Sequence, residues 1–360
     1  MRNETTRTGM TCLALLSVAF VACGGSGGSP GSGGSSTGGS TGTGGSASTG
    51  GAPGSGGAST AGTGGRTGTG GAPAGSGGAA VDAGTITDAA TTGTPCTMGT
   101  WPTADPAVAG PFATVTETNV GPAAGQGADG GPPVAFTMFR PKDLAQGGLC
   151  HPVITWGNGT GATPSLYKTL LNHLASHGFV VIASDSLNVA QGTPQPMVAG
   201  VTWVLEQNDD PTSALYQRID TTHVGATGHS QGGFATTTAG GDSHITTIAP
   251  LCGASAQRNL HGPAMLYCGG ADTTVPCSTI QRTFDGITNQ PVMLADYLTA
   301  DHASWITFRG TTPGPVEVAV TAWMRVHLMN DTALRSWFYG PSCKLCTDAG
   351  WSIMQKMMDQ

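Results

Sequence analysis

The sequence predicts an α/β fold with one mostly parallel central sheet and helices covering both of its faces. Short, continuous apolar runs alternate with segments whose apolar residues recur every three or four positions. This is the pattern of buried parallel strands separated by helices. The runs are confined to residues 96–360, a length that suits one α/β domain. We therefore expect one folded domain, preceded by segments that do not belong to it.

Residues 1–22 predict a signal peptide of the lipoprotein type. Arg2 and Arg7 give a positive start, and residues 10–22 form an apolar run. That run is too short for a bilayer span, which takes about 20 residues. It ends in Phe-Val-Ala before Cys23, which resembles the signals in which such a cysteine becomes acylated. We expect Cys23 to be a lipidation site that holds the protein at the cell envelope, at the outer membrane in a two-membrane host; an ordinary signal and secretion are the alternative.

Residues 23–95 predict a disordered tether between the anchor and the domain. Glycine, serine and threonine dominate this segment, which has no helical or strand period and few bulky apolar side chains. Such a segment cannot offset the ordering entropy of about 1–2 kcal/mol per residue. Its expected role is to extend the reach of a membrane-fixed domain.

The charge balance argues against a nucleic-acid partner. The chain has 14 Lys and Arg against 21 Asp and Glu, for a formal net charge of −7. Electrostatic binding to phosphate backbones requires the opposite sign. We expect a monomer that contacts the membrane only through its lipid anchor.

The cysteines indicate an oxidising compartment. Seven of the nine lie beyond Cys23: Cys96, Cys150, Cys252, Cys268, Cys277, Cys343 and Cys346. In an exported protein most should pair, and the odd number leaves at least one free or paired between molecules. The C-x-x-C spacing at 343–346 is also found in zinc and redox sites, but it stands alone, which favours structural cysteines.

The elements alternate along the domain. The predicted strands, in chain order, are 152–156, 179–183, 223–227, 245–251, 264–268 and 291–298. The predicted helices are 165–176, 198–206, 233–239 and 316–329. Most strands are continuous apolar runs, as expected where both faces of a sheet are covered.

The motif Gly-His-Ser-Gln-Gly at 228–232 follows a strand and precedes a helix. This is the context that a nucleophile elbow requires, with Ser230 as the nucleophile. The turn is sharp, and a Cβ at either flanking glycine would collide with the neighbouring strand or helix. An ordinary tight turn is the alternative, because the chain is rich in glycine and serine.

The base is found by elimination. In this architecture the chain order is serine, acid, histidine. Only His302 and His327 follow Ser230 at a sufficient distance for an acid-bearing strand to intervene. His327 falls inside the last helix pattern, where a packing role is expected. His302 lies in a loop after a strand, from which an imidazole can reach Ser230.

The acid must lie between Ser230 and His302. Asp272 follows the strand at 264–268 and is the preferred residue. The other aspartates fall on a helix, inside a strand, or next to the histidine itself: Asp285, Asp296 and Asp301. Asp272 would hold the tautomer of His302 and stabilise the imidazolium that forms when His302 deprotonates Ser230.

An acyl-transfer site also needs donors for the oxyanion, each worth about 3–4 kcal/mol. The backbone N–H of Gln231, the residue after the nucleophile, is the first expected donor. The second is expected in the loop after the strand at 152–156, where the N–H of Thr160 is suitably placed.

Several segments together carry a family resemblance. They are Leu-Ala-Ser-His-Gly-Phe-Val-Val-Ile at 174–182, the elbow at 228–232, Asp272 with Val275-Pro276, His302, Ala-Trp-Met at 322–324 and Asn-Asp-Thr at 330–332. Over most of residues 110–340 the chain resembles bacterial cutinase-like polyester hydrolases, which include poly(ethylene terephthalate) hydrolases and have the α/β-hydrolase fold.

The resemblance implies Ser230, Asp272 and His302 as the triad, and Thr160 and Gln231 as oxyanion donors. It also implies a carboxylic-ester hydrolase that works through an acyl-enzyme, with no metal or organic cofactor. The expected substrates are short-chain esters and aliphatic polyesters, and activity on poly(ethylene terephthalate) is left open. A lipase or acyltransferase with the same triad, or an inactive scaffold used for surface binding, is the alternative.

The chain departs from this family at two positions near the expected site. Gln231 stands where many members have methionine, and a cleft tryptophan is missing from 249–254, which reads Ala-Pro-Leu-Cys-Gly-Ala. Trp156 and Trp305 could contact substrate in its place, or could belong to the core. Cys268 and Cys277 flank Asp272 and would clamp its loop if they are paired.

Overall fold

A computed structural model describes residues 94–358 except 103, 125–133, 194 and 305–312. The predicted signal peptide, Cys23, almost all of the tether and Trp305 lie outside the described residues. Within these ranges no helix has the length and apolar content that crossing a membrane requires.

The described strands form one nine-stranded sheet in the order β1-β2-β4-β3-β5-β6-β7-β8-β9. Their bounds are Thr114–Ala124 (β1), Val134–Pro141 (β2), His151–Gly157 (β3), Val180–Ser184 (β4), Ile219–His229 (β5), Ile245–Leu251 (β6), Ala264–Gly269 (β7), Val292–Tyr297 (β8) and Trp351–Lys356 (β9). The strands from β4 through β8 pair in parallel. Strands β1, β2 and β9 join antiparallel at the two ends. The predicted, mostly parallel sheet is confirmed.

Helices lie on both faces of this sheet. Their bounds are Lys168–Ser176 (α1), Pro196–Asp209 (α2), Gln231–Ala239 (α3), Cys277–Gly286 (α4), Pro315–Leu328 (α5) and Lys344–Thr347 (α6). Three short 3-10 segments accompany them in the described ranges: Gln146–Gly148, Pro164–Tyr167 and Thr332–Trp337. The segment predicted as a helix over 165–176 therefore begins as a 3-10 turn and becomes α-helical at Lys168.

The sheet separates two apolar cores. Helices α1 and α5 pack on one face, together with Ile154 and Trp156 of β3. Helices α2, α3 and α4 pack on the other, together with Val153 of the same strand. Successive strand residues point to opposite faces, so a strand covered on both sides is apolar throughout. This explains the continuous apolar runs in the sequence.

The structure pairs six of the seven cysteines that follow Cys23. The disulfides are Cys96–Cys150, Cys268–Cys277 and Cys343–Cys346, and the seventh cysteine, Cys252, is buried. The C-x-x-C pair thus forms a local bridge at the start of α6, and Cys268–Cys277 joins the end of β7 to the start of α4.

Candidate active site

Ser230 occupies a strained turn between β5 and α3. Its φ of 55° and ψ of −118° lie outside the regions that L-residues ordinarily adopt, a conformation that costs of order 1–3 kcal/mol. The Ser230 N–H donates to the carbonyl of Leu251 at 2.9 Å, and the Ser230 carbonyl accepts from the N–H of Phe234 at 3.1 Å. The end of β6 and the first turn of α3 therefore hold the turn in place.

The two elbow glycines are required by close backbone contacts. A Cβ on Gly228 would lie 2.6 Å from the carbonyl oxygen of Gly232 and 2.7 Å from that of Gly157. A Cβ on Gly232 would lie 2.0 Å from the same Gly157 oxygen. Because these neighbours are backbone atoms, no side-chain movement can relieve the clash, and strand β3 can approach the elbow only if both positions are glycine.

The structure brings the three residues selected from the sequence into one hydrogen-bonded line. The Nε2 of His302 lies 2.9 Å from the Oγ of Ser230, and its Nδ1 lies 2.7 Å from the Oδ2 of Asp272. Ser230 follows β5, Asp272 follows β7, and His302 follows β8. These strands are parallel, so their carboxyl ends meet at one edge of the sheet.

Asp272 is buried and receives several hydrogen bonds. Its Oδ1 accepts from the N–H groups of Thr274 at 2.8 Å and Val275 at 2.9 Å. Burial raises the pKa of this carboxyl, but hydrogen bonds from His302, Val275 and the Cys252 thiol lower it, and the net shift is downward. Asp272 is therefore ionised at neutral pH and can accept the Nδ1–H of His302.

The contact between Cys252 and Asp272 escaped the sequence analysis. Cys252 follows β6, is fully buried, and has a positive φ of 47°. Its N–H donates to the carbonyl of Tyr267 at 3.0 Å, which ties it to β7. The available signal was the odd number of cysteines, one of which directly follows a strand beside the elbow.

The two expected oxyanion donors lie at the start of α3 and in the loop that follows β3. Gln231 is the first residue of α3, and the first N–H groups of a helix have no acceptor within it. Thr160 is exposed and lies between two N–H groups that are engaged: Gly159 donates to the Oη of Tyr167, and Gly161 donates to the carbonyl of Leu187. The N–H of Gln231 thus directly follows the elbow serine, and the N–H of Thr160 lies in the loop after β3.

The side chain of Gln231 places an amide close to the nucleophile. Its Oε1 is buried, and no residue in the described part of the chain donates a hydrogen bond to it. A buried acceptor of this kind costs free energy unless a ligand or water supplies a donor. An amide at this position is more polar than a methionine side chain would be.

Trp156 does not take the place of the missing cleft indole. Trp156 is fully buried. Its Nε1 donates to the Oδ1 of Asn158 at 3.0 Å, and its ring packs 4.8 Å from that of Tyr167. Of the two roles left open by the sequence, this placement fits the core role. Ala254 is also buried, and its carbonyl accepts from the Oγ1 of Thr283.

Two groups of potential metal ligands occur among the described residues. Cys252, Asp272 and His302 form one, and their side chains are engaged in the hydrogen bonds given above. The other contains Cys268 and Cys277, whose sulfurs are joined in a disulfide and so cannot act as thiolates. The third member of this second group is Asp296.

Removing the Cys268–Cys277 bridge is expected to lower both stability and turnover. The bridge closes the short loop that carries Asp272. The change Cys268→Ala with Cys277→Ala should reduce the free energy of unfolding by about 2–3 kcal/mol, measured by urea denaturation. It should also lower kcat by about tenfold because a loosened loop misplaces the carboxylate.

The matched control removes the bridge between Cys96 and Cys150, which lie 54 residues apart. Its loss should cost more stability, about 4 kcal/mol, because it closes a longer loop. It should leave kcat unchanged at a temperature where both variants are folded. Equal kcat values for the two variants would contradict a specific role of Cys268–Cys277 at Asp272.

Comparisons with known proteins identify the family of the chain. A sequence model of a family described as PET hydrolase-like matches residues 90–352, a region that contains all three aligned side chains. Cutinase 1 of Thermobifida cellulosilytica is 26% identical over 234 residues, which are 63% of this chain and 83% of that protein. A cutinase of Thermobifida fusca (strain YX) is 26% identical over 234 residues, which are 63% of this chain and 72% of that protein.

A plant protein also matches. Chlorophyllase-1, chloroplastic, of Citrus sinensis is 26% identical over 150 residues, which are 38% of this chain. The chain spans 43% of the length of that relative. The family match covers well over half of the chain, and the resemblance predicted from the sequence is confirmed, together with the α/β-hydrolase fold.

Proposed function

The chain belongs to the PET hydrolase-like family, and from this premise we propose that it is a serine carboxylic-ester hydrolase of the cutinase type. The observation that carries the proposal is the hydrogen-bonded line from Ser230 through His302 to Asp272, with distances of 2.9 and 2.7 Å. A serine hydroxyl is a weak nucleophile on its own, and an adjacent oriented base is what activates it.

In the acylation step, the Nε2 of His302 takes the proton of the Ser230 hydroxyl while Oγ attacks the ester carbonyl carbon. The carbonyl oxygen becomes an oxyanion that accepts from the N–H groups of Gln231 and Thr160. The intermediate collapses, the bond to the alcohol oxygen breaks, and His302 returns its proton to that oxygen. The alcohol leaves, and the acyl group remains on Ser230.

In the deacylation step, His302 takes a proton from a water molecule, whose oxygen attacks the acyl carbon. The second oxyanion is held by the same donors, and His302 protonates Oγ as the carboxylic acid leaves. Asp272 accepts the Nδ1–H throughout, which keeps Nε2 free to act as the base and stabilises the imidazolium. The strained φ of Ser230 projects Oγ away from the backbone.

We assign the enzyme to short-chain esters and aliphatic polyesters. Residues 249–254 contain no indole that could contact an aromatic ring, and Gln231 adds a polar amide. Three leucines that follow the carboxyl ends of β3, β4 and β8 are more than a third exposed: Leu166, Leu187 and Leu298. Exposed apolar side chains beside a site suit a flexible aliphatic chain.

The substrate assignment predicts faster attack on polycaprolactone than on amorphous poly(ethylene terephthalate). An aromatic contact contributes about 0.5–1.5 kcal/mol beyond area burial, so its loss should cost up to about tenfold for the aromatic unit. Product release from the two films at equal enzyme loading measures the difference, with Ser230→Ala as the inactive control. Equal or faster terephthalate release that is lost in Trp305→Ala would show that another indole fills the cleft.

Labelling with a fluorophosphonate tests the class of function itself. Wild-type protein should be labelled at Ser230, and Ser230→Ala should not. An unlabelled wild-type protein would favour an inactive scaffold. Products formed by transfer to an added alcohol in preference to water would instead favour an acyltransferase.

We also propose export and attachment to the cell envelope through acylated Cys23. The signal-like residues 1–22 support export, as do three disulfides, which persist in oxidising compartments. Wild-type protein should partition into detergent and sediment with membranes, and Cys23→Ala should release it. Fully soluble wild-type protein with an unmodified Cys23 by mass spectrometry would contradict the anchor.

A further inference from the structure

A buried pair of side chains connects two loops of the site. His229, the residue before the nucleophile, is almost completely buried. Its Nε2 lies 3.0 Å from the backbone oxygen of His302, and its Nδ1 lies 3.1 Å from the Oη of Tyr167. The same Oη lies 3.1 Å from the backbone nitrogen of Gly159. An unbroken chain of hydrogen bonds therefore runs from the loop before Thr160 to the base.

The proton positions in this chain follow from its two ends. The backbone oxygen of His302 can only accept, so the Nε2 of His229 carries a hydrogen and donates it. The backbone nitrogen of Gly159 can only donate, so the Oη of Tyr167 accepts there. The Tyr167 hydroxyl then donates to the Nδ1 of His229, which is the acceptor nitrogen of a neutral imidazole. With the protons placed in this way, both ring nitrogens of His229 and the Oη of Tyr167 are hydrogen-bonded.

The surroundings keep both side chains uncharged. Burial, reinforced by the nearby His302, lowers the pKa of His229 to about 3. Burial raises the pKa of Tyr167 to about 12. The arrangement of protons is therefore the same across the pH range in which an esterase works.

The pair is also packed tightly between the loops that it joins. The ring centroids of His229 and His302 are 4.9 Å apart, and those of Tyr167 and Trp156 are 4.8 Å apart. A Cβ on Gly159 would lie 2.9 Å from the Oη of Tyr167. Neither loop can move toward the other without displacing these rings, and neither can move away without breaking a hydrogen bond.

We propose that Tyr167 and His229 are positioning residues that fix the loop of the Thr160 oxyanion donor relative to the loop of His302. The proposal rests on the proposed hydrolase function. Both residues are almost completely buried, and they act through the backbone of Gly159 and of His302. A shift of about 1 Å in either loop would misplace a donor or the base, and errors of that size cost about a hundredfold in rate.

The first test is Tyr167→Phe, which keeps the ring and removes the hydroxyl. We expect kcat for p-nitrophenyl butyrate to fall by about tenfold to a hundredfold, with KM within twofold of wild type. The rate of fluorophosphonate labelling at Ser230 should fall in parallel. The matched control is Tyr216→Phe, which removes a hydroxyl that accepts from Gln217; it should leave both rates unchanged.

The second test asks whether the two residues act as one unit. His229→Phe removes both ring nitrogens, and His229→Gln restores a donor and an acceptor. The phenylalanine variant should lose at least as much kcat as Tyr167→Phe, and the glutamine variant should recover part of it. The double variant, Tyr167→Phe with His229→Phe, should be no slower than the slower single variant, because each change breaks the same connection.

The outcomes separate this proposal from the proposed function. Wild-type protein that is labelled but hydrolyses no ester would overturn the proposed function. The labelling rates of the variants would still decide whether Tyr167 and His229 are positioning residues. Tyr167→Phe with kcat and labelling within twofold of wild type would overturn the positioning role. So would a raised KM at constant kcat, or losses that add in the double variant, since these indicate substrate contact or independent effects.

Discussion

Replacing Ser230 by alanine is expected to lower kcat for a p-nitrophenyl ester by about five to six orders of magnitude. The change removes the only atom that can form the acyl-enzyme, and the remaining rate would come from the oxyanion donors and substrate binding alone. The fold should persist because the Ser230 contacts that hold the elbow are made by its backbone. Steady-state kinetics and the thermal midpoint, measured on the same preparation, check both statements.

Controls of the same residue types make this result specific. Ser352→Ala changes an exposed serine of β9 and should leave kcat unchanged. His302→Ala should be as damaging as Ser230→Ala, because members of the unit act together. The His327→Ala variant should keep the wild-type kcat, because His327 packs against the ring of Trp323 within α5 and against the ring of Tyr339 after that helix. Loss of turnover in His327→Ala with full activity in His302→Ala would reject the assigned base.

Replacing Asp272 by asparagine is expected to lower kcat by about four orders of magnitude. The amide is similar in size, so the loop should keep its shape. An amide nitrogen donates where the carboxylate accepts, so the Nδ1 of His302 would become the acceptor. The imidazole proton would then lie on Nε2, which faces Ser230, and His302 could no longer act as a base. The negative charge that stabilises the imidazolium would also be lost. Kinetics of the purified variant measure the effect.

The environment of Asp272 sharpens this prediction. Its carboxylate accepts from Thr274, Val275, His302 and the Cys252 thiol. Because the pKa of Asp272 is lowered, activity should not be lost from protonation of this group at any pH near neutrality. Asp285→Asn alters an exposed aspartate of α4 and should have no effect. An Asp272→Asn variant within tenfold of wild type would contradict the role of Asp272.

The features that depend on local chain geometry could be predicted from the sequence. The elbow is one, because the steric need for glycine at 228 and 232 arises within a single strand–turn–helix unit. Chain order and loop position then sufficed to select Asp272 and His302, which the structure brings into line with Ser230. The parallel strands were also predictable, since burial on both faces leaves a continuous apolar run. Strands β1 and β9, at the two edges of the sheet, escaped because their sequences are mixed and partly exposed. Strand β2 lies inside the sheet and is buried, and it escaped because Thr137 and Arg140 interrupt its apolar run.

Contacts between residues far apart in sequence were decided only by the tertiary structure. Cys96 pairs with Cys150 across 54 residues, and Cys252 lies against Asp272 because β6 and β7 are neighbours in the sheet. Whether Trp156 faces a cleft or the core depends on what covers each face of β3, and helices α1 and α5 cover it. The bond between Tyr167 and His229 joins residues 62 positions apart. Residue types and local patterns determine which groups can react or bond, whereas packing of the sheet and its helices determines which of them meet.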